Sequence, residues 1–504
     1  MKTKSFMVLG TASGVGKSFI TAAFCRLFSD WGWRTAPFKA QNMSNNSYVT
    51  PGGGEIGRAQ AVQAECARII PSIHMNPILL KPSEDNQSQV VIHGKPAGNF
   101  SARKYYERRE VLEKAVRESY ESLASEYEVV VMEGAGSPAE VNLKKYDLVN
   151  MKAAEMADAR CLLVADIDRG GVFASVIGTM DLLEPHERAR IDGILINKFR
   201  GDISLFEDGV AFIEKRTGVK VWGVLPYDRG LWIEEEDSLS TFPDSRLRGN
   251  DENRDLDIAV LLLPRLSNFT DFGILAQEPG VRLRYIARPE DFGNPDLLIL
   301  PGTKATVADF EYLKRQGFDG KILNYVRQGG RVLGICGGYQ MMGKKIFDKE
   351  NLESSQKEID GLGLFDMATE FQPEKVLRRV EGRVKLSLFG SEVEGEIDAY
   401  EIHMGVSSHQ TDYPAFGNGG AVSPDRKIAG TYFHGLFDSG SFRQSFLDAL
   451  AKDCGKPRLE GLNVSAREFK ERHYKDLGAW LTKSINLDLL QKTWNISPRV
   501  SVRI

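Results

Sequence analysis

Residues Phe6 to Ser18 read FMVLGTASGVGKS: a short apolar run, a glycine-rich turn closing on Lys17-Ser18, then the helical pattern Phe19 to Phe28. Strand, loop and helix in that order are the setting a phosphate-binding loop requires. Gly10, Gly14 and Gly16 let backbone N–H groups turn inward round an anion, and the helix directs the positive end of its dipole at the same point. Lys17 suits the β- and γ-phosphates of a nucleotide such as ATP, and Ser18 suits a Mg²⁺ ion. Five residues separate Gly10 from Gly16 where the usual pattern has four, so Thr11 stands where the first glycine would be. A glycine turn of purely structural use is the alternative, and Gly-Lys-Ser at the helix start argues against it.

With 504 residues the chain exceeds the size at which one hydrophobic core keeps growing, so two large domains are expected. The net charge of −4 gives no general reason to bind nucleic acid or an anionic membrane. Five scattered cysteines, Cys25, Cys66, Cys161, Cys336 and Cys454, argue against a disulfide framework and fit a reducing cytoplasm. The opening MKTKSFMVLG runs at once into the glycine loop without a signal-peptide core, and no apolar stretch approaches a membrane span. A cytoplasmic location is the expectation.

Up to about residue 226, apolar runs ending in polar or glycine-rich residues alternate with helical patterns, the signature of a parallel α/β sheet. Ligands of such sheets sit at the carboxyl ends of the strands, so the residues just after each run are the informative ones. The second run passes into Gln41-Asn42-Met43-Ser44-Asn45-Asn46-Ser47-Tyr48, whose amides and hydroxyls, Asn42, Ser44, Asn45 and Asn46 among them, suit a polar substrate; a solvated loop is the alternative. Pro51 to Gln60 is a glycine turn opening a helix, with Glu55 and Arg58 near its start. Val129 to Met132 ends in Glu133, placed to reach a nucleotide-bound Mg²⁺. Leu162 to Ala165 ends in Asp166-Ile167-Asp168-Arg169, making Asp166 a second metal or substrate candidate. Ile194 to Ile196 leads to Asn197, an amide able to read a nucleobase edge. Which of Glu55, Asp166 and Asp168 touches metal stays open.

A polar stretch near 233–256 reads as a linker, separating a domain over 1–232 from one over 257–455, with a helical extension over 456–504. In the second half, Arg331 to Gln340 (RVLGICGGYQ) is a strand turning sharply at Cys336 into a helix, with glycines that relieve strain at a nucleophile. The helix N-terminus favours a thiolate, and N–H groups near Gly337 and the Gly302-Thr303 loop could form an oxyanion hole. A buried inert cysteine is the alternative. Among seven histidines, His434 in GTYFHGLF follows a β-like run and is the expected base, while His403 in YEIHMG ends a strand-like segment and is expected to line the pocket. With neither HExxH nor paired cysteines, a zinc site is not expected.

One half can thus activate a group with ATP, and the other can attack a carbonyl with a thiol. Together they make a glutamine-dependent amide synthetase: Cys336 releases ammonia from glutamine, and the first half converts a carboxylate to an acyl phosphate that ammonia attacks.

Five segments, GTASGVGKS, QNMSNNS, VADIDRGGVFAS, Leu266-Ser267-Asn268-Phe269-Thr270-Asp271-Phe272 and YEIHMG, closely resemble the cobyric acid synthase family, over nearly the whole chain. The resemblance implies a dethiobiotin-synthetase-like ATP domain joined to a class I glutamine amidotransferase domain. It also implies amidation of the b, d, e and g carboxylates of a corrinoid, adenosylcobyrinic acid a,c-diamide, and matches Cys336 and His434 to the glutaminase pair and Lys17, Ser18 and Glu133 to the phosphate and magnesium positions. Ordinary class I amidotransferases carry a glutamate two residues after the histidine; here that position is Leu436, so His434 is oriented by another group or by none, and little glutamine hydrolysis is expected unless the synthetase site is occupied. Two other readings compete. One is the sister cobyrinic acid a,c-diamide synthase, against which the Asn42 to Asn46 loop speaks. The other is a P-loop switch ATPase carrying an inactive amidotransferase module, against which Ala12, in place of an early second lysine, and the pairing of Cys336 with His434 both speak.

Overall fold

The strands of the first half carry apolar runs through their middles because both faces of their sheet are covered, as a parallel sheet requires. A computed structural model describes residues 2–82, 87–234, 256–354, 356–409, 413–457 and 460–499. Its first unit comprises residues 2–44, 50–234 and 470–499, and its second comprises 45–49 and 256–469. The predicted linker lies, from 235 to 255, outside the described residues.

Six parallel strands form the main sheet of the first unit: β1 (Lys4–Gly10), β2 (Thr35–Phe38), β3 (Val129–Glu133), β4 (Arg160–Asp166), β5 (Ile191–Phe199) and β6 (Lys220–Pro226). Their order, β6-β5-β4-β1-β3-β2, brings the ends of β1, β3 and β4 side by side. Helix α1 (Lys17–Asp30) springs from the turn after β1, and α2 (Arg58–Cys66) from Gly57. A smaller four-stranded sheet joins Gln41–Met43, Ile78–Pro82, Gln87–Ile92 and Lys95–Ser101.

The C-terminal helices complete this unit. Helix α4 (Ala466–Ser484) begins in the second unit and continues in the first, and α5 (Leu487–Trp494) follows. The Trp494 ring stacks on Phe6 of β1 at 4.0 Å, meets Phe24 and Trp222, and donates its indole N–H to Asp192 at 2.9 Å. Buried Glu234 accepts from Arg58 at 2.6 Å and pairs with Lys470 at 2.8 Å; burial works against its charge, but the two cations hold its pKa below the ordinary value.

The second unit carries a parallel sheet of β7 (Leu256–Leu261), β8 (Val281–Ile286), β9 (Leu297–Leu300), β10 (Val332–Ile335) and, at its far side, β15 (Ile428–Thr431). Between β10 and β15 the chain forms a long antiparallel hairpin, β11 (Met367–Leu388) and β12 (Ser391–His409), then the antiparallel edge strands β13 (Tyr413–Ala415) and β14 (Gly420–Val422). The segment Tyr400 to Gly405, read from sequence as the end of a strand, lies inside β12. Charged residues alternating through β11 and β12 conceal its length: Arg383 stands opposite Glu396 and Lys385 opposite Glu394, and the ion pairs Arg383–Glu394 and Lys385–Glu392 run diagonally across the ladder, where opposite charges support pairing. Among the described residues no helix is long and apolar enough to cross a membrane.

Trp494→Ala would leave a cavity against Phe6, Phe24 and Trp222 and strip Asp192 of a donor. We expect it to lower the unfolding free energy of the first unit by about 3–5 kcal/mol, read from urea titration. A loss under about 1 kcal/mol would show that α5 adds little to this core.

Candidate active sites

Lys17 ties the turn after β1 to one of its own carbonyls and to one from the segment after β3. Lys17 Nζ donates to Ala12 O and Gly136 O, each at 2.9 Å, and so spans the concave face of the loop. Burial lowers its pKa to about 8, with Glu133 acting in the opposite sense and Lys39 in the same. Gly16 sits at φ 99°, where a side chain is strained, and a Cβ there would collide with the Asn197 amide. Asn197 donates to Val15 O at 2.9 Å, and Lys198 to Gly14 O at 2.7 Å, so the end of β5 grips the loop backbone.

Glu133, at the end of β3, is 1% exposed and meets the start of α1. Ser18 Oγ and Lys39 Nζ each donate to its Oε1 at 2.8 Å, and Gln63 donates to its Oε2 at 2.5 Å. Burial opposes ionisation, but Lys39 and the three hydrogen bonds hold the pKa below the ordinary carboxylate value. A hydroxyl and an ionised carboxylate in contact are the sparse oxygen set that suits Mg²⁺, which takes its other ligands from phosphates and water. Asp166 is engaged elsewhere, with Lys198 Nζ at 2.8 Å and the Asp168 N–H at 2.8 Å. Glu55 pairs with Lys81 at 2.5 Å, and Asp168 with Arg200 at 2.8 Å.

The polar row after β2 is divided. Asn42 donates to Gln60 at 2.9 Å and Ser44 N donates to Leu80 O at 3.0 Å, both within the first unit. Asn45 and Asn46 belong to the second unit; Asn45 Oδ1 is buried and makes no hydrogen bond, while Asn46 Oδ1 accepts from Phe269 N at 3.1 Å.

Cys336 follows β10 with φ 49° and ψ −110°, a conformation a non-glycine residue adopts only where the surroundings impose it. Its N–H is fixed on Thr431 O at 2.8 Å, and its thiol is directed at Ile402 O, 3.6 Å away. Helix α3 (Gly337–Met341) starts immediately after it. A Cβ on Gly338 would stand 2.0 Å from Leu300 O, and one on Gly302 would stand 2.9 Å from His434 Cε1, so both glycines let the end of β9 close on the thiol turn. A Cβ on Gly337 would stand 2.7 Å from Thr303 Cγ2.

His434, fully buried, has a defined partner on each ring nitrogen. Nδ1 lies 2.7 Å from Asp271 Oδ2, whose other oxygen accepts from Gly435 N at 2.9 Å, and Nε2 lies 3.3 Å from Asn268 Nδ2. Burial works against an imidazolium; the charge and hydrogen bond of Asp271, and then Cys336, outweigh it and push the pKa up to about 10. Leu436, where a glutamate would be sought, is packed in the core. The carboxylate comes instead from the short turn Phe269–Phe272, far away in the chain. A search downstream of the histidine overlooks Asp271, although the LSNFTDF segment contains it. His403 donates through Nδ1 to Gly405 O, 2.7 Å away, and stacks on Tyr432 at 3.8 Å; burial lowers its pKa to about 4, so its ring is neutral.

A thiol on a strained turn, an imidazole and a buried carboxylate are the components of a thiol nucleophile with an oriented base. Asp271→Asn removes the charge that raises the His434 pKa and leaves the burial that lowers it. The imidazolium is then lost at lower pH, and Cys336-dependent turnover is expected to fall on the order of 10²–10⁴-fold, with the His434 titration followed by NMR moving to lower pH. An unmoved titration would deny Asp271 this role.

Comparison with known proteins places these two sites in context. Residues 6–240 match the CobQ/CobB/MinD/ParA nucleotide-binding domain, and residues 257–442 match the CobB/CobQ-like glutamine amidotransferase domain. Cobyric acid synthase of Yersinia enterocolitica is 47% identical over 503 residues, covering 97% of each chain. The enzymes of that name from Listeria monocytogenes and Carboxydothermus hydrogenoformans are each 46% identical, covering 97% and 96% of this chain and 96% and 98% of their own. With likeness at this level along almost its whole length, the chain belongs to the cobyric acid synthase family.

Proposed function

We propose that this chain makes cobyric acid, amidating the b, d, e and g carboxylates of adenosylcobyrinic acid a,c-diamide with ATP and glutamine. The observation that carries the reading is Cys336 on its strained turn with His434 and Asp271 behind it, in the same chain as a phosphate loop that faces Lys17 inward. An inactive amidotransferase module would have no use for a buried imidazole–carboxylate pair, and the near full-length likeness to cobyric acid synthases favours this enzyme over its sister.

Cys336 Sγ attacks the side-chain carbonyl carbon of glutamine while His434 Nε2 takes the thiol proton. The same nitrogen returns the proton to the departing nitrogen, ammonia leaves, and water hydrolyses the thioester to glutamate. Asp271 keeps the Nδ1 proton in place and balances the imidazolium that forms. Backbone N–H groups at Gly337 and at the Gly302-Thr303 loop face the developing oxyanion.

In the other site a corrinoid carboxylate attacks the γ-phosphorus of ATP, ADP departs, and ammonia then displaces phosphate from the acyl phosphate to give the amide. Lys17 leaves its carbonyl partners for the phosphate oxygens, and the loop N–H groups bind the remaining charge. Ser18 and Glu133 would hold Mg²⁺, which supplies further neutralisation of phosphate charge. Glu133 must then exchange part of its contact with Lys39 for the ion. Asn42 and Ser44 remain candidates for corrinoid contact, and Asn197 for the nucleotide.

Mass spectrometry of the corrinoid after incubation with ATP, Mg²⁺, glutamine and adenosylcobyrinic acid a,c-diamide should show four added amides. Two amides on cobyrinic acid and none here would move the assignment to the sister reaction. Cys336→Ala should abolish synthesis from glutamine while leaving synthesis from ammonia within a few-fold, and Lys17→Ala should reduce both by roughly 10²-fold or more. Loss of both nitrogen sources in Cys336→Ala would refute separate sites.

A further inference from the structure

The loop that leaves β3 lies against the phosphate loop: its Gly136 O accepts from Lys17 Nζ at 2.9 Å. Further along it, Val141 is 62% exposed and Leu143 is 44% exposed. Neighbouring apolar side chains left in water beside a ligand site call for an explanation. A second segment meets this loop from the small sheet. After the edge strand Lys95–Ser101 comes the turn Ala102–Tyr106, where buried Tyr105 donates through its hydroxyl to Gln41 Oε1, just beyond β2. The next ring, Tyr106, stacks on Tyr146 of the loop at 4.2 Å, and Arg109 donates to Lys145 O at 2.5 Å. The two segments thus form one face at the carboxyl edge of the main sheet, anchored beyond the ends of β2 and β3.

The charge on this face is unlike that of the chain as a whole. The protein carries a net −4, yet Arg103 to Arg109 (RKYYERR) holds four cations against one carboxylate, and Lys144-Lys145 adds two more. Some of these are neutralised within the protein: Arg103 by Glu107, Arg109 by Glu113, and Lys144 by Glu187. Lys104, Arg108 and Lys145 form no ion pair among the described residues. Two of them are laid over aromatic rings instead, the Arg108 guanidinium 4.6 Å from the Phe100 centroid and Lys145 Nζ 4.7 Å from that of Tyr146. A ring beneath a cation restrains it and leaves its outer side open. An exposed cation so restrained, with no counter-charge, is prepared for an anionic ligand, because less freedom remains to be lost on binding.

Resting on the proposed function, we infer that this face holds the corrinoid, with Arg108 and Lys145 receiving carboxylates other than the one being activated. The ligand's chemistry matches on two counts: a broad, largely apolar macrocycle, and four free carboxylates at its rim. While one carboxylate reaches the phosphate held by Lys17, the others lie outside the nucleotide site and need cations along the same edge of the sheet. Val141 and Leu143 meet the apolar plate, and the two ring-backed cations meet its rim. Charges on long, exposed side chains do not dictate a single orientation, so the ring can turn to present each carboxylate in succession.

The test is binding of adenosylcobyrinic acid a,c-diamide to the full-length protein without ATP or glutamine, by equilibrium dialysis read from the corrinoid's visible absorption. Arg108→Gln combined with Lys145→Gln removes two exposed ionic contacts and should weaken binding about 3- to 20-fold. Val141→Asp adds a carboxylate to the face, leaves both cations in place, and should weaken it as well. Lys2→Gln makes the same kind of charge change before the start of β1, at the opposite edge of the sheet, and should leave binding as it was. In turnover the double variant should show a raised KM for the corrinoid and an unmoved KM for ATP. Added salt should weaken its corrinoid binding less than that of the unsubstituted protein. Thermal unfolding shows that each variant is folded. Equal corrinoid affinity in the double variant, an equal loss in Lys2→Gln, or a loss of ATP affinity in place of corrinoid affinity would each overturn the assignment. Failure of the cobyric acid reading would look different: the unsubstituted protein itself would bind no adenosylcobyrinic acid a,c-diamide, and the corrinoid face would fall with it.

Discussion

Both candidate sites depend on one backbone constraint, a buried parallel strand whose chain must enter a helix through a short turn. At such a turn successive N–H groups lose their strand partners before gaining helical ones, and they point together at the carboxyl edge of the sheet. In the first unit the turn is relaxed by glycine at φ 99° and gathers N–H groups suited to phosphate. In the second the corresponding position is Cys336 at φ 49°, a side chain held in a region it would not choose. The strain is sustained by close packing: Gly338 lies against Leu300 O, and Cys336 N is fixed on Thr431 O. One topological device thus underlies the candidate phosphate site in one unit and the candidate nucleophile in the other, the difference being the residue at the turn.

The fold was legible because parallel strands buried on both faces read as continuous apolar runs with no competing period. β1, β3, β4 and β10 all stand on such runs, and the candidate residues Lys17, Glu133, Asp166 and Cys336 lie at or just beyond their carboxyl ends. The hairpin of β11 and β12 was not legible, since its alternating charges satisfy one another across the strands and resemble a solvated stretch. The place of the C-terminal helices was equally hidden. Trp480 and Trp494 stand out in the sequence, but only the register of α5 against β1 and α1 shows what the second of them covers.

Within the sites, local pattern identified side chains but not their pairings. Ser18 and Glu133 are 115 positions apart and meet at 2.8 Å because β1 and β3 are neighbours, a fact of strand order that no spacing expresses. Asp271 lies 163 positions before His434 and was hidden for the same reason. The acidic candidates after β4 illustrate the converse. Asp166 and Asp168 have the right type and the right edge, yet each is already engaged by a cation, Lys198 or Arg200. A carboxylate at a strand end is common; one that touches the P-loop serine is informative.

Asp271 and Asn268 meet His434 from opposite nitrogens of one imidazole. Asn268 immediately precedes the short turn that carries Asp271, so the carboxylate at Nδ1 and the amide at Nε2 are positioned by a single local structure. Asn268 itself sits in the left-handed region at φ 53°, which asparagine tolerates better than most residues. Its amide is therefore aimed by the backbone as well as by Ser47, whose N–H donates to Asn268 Oδ1 at 3.2 Å. A substitution that kept the amide but altered that turn would disturb Asp271 as well.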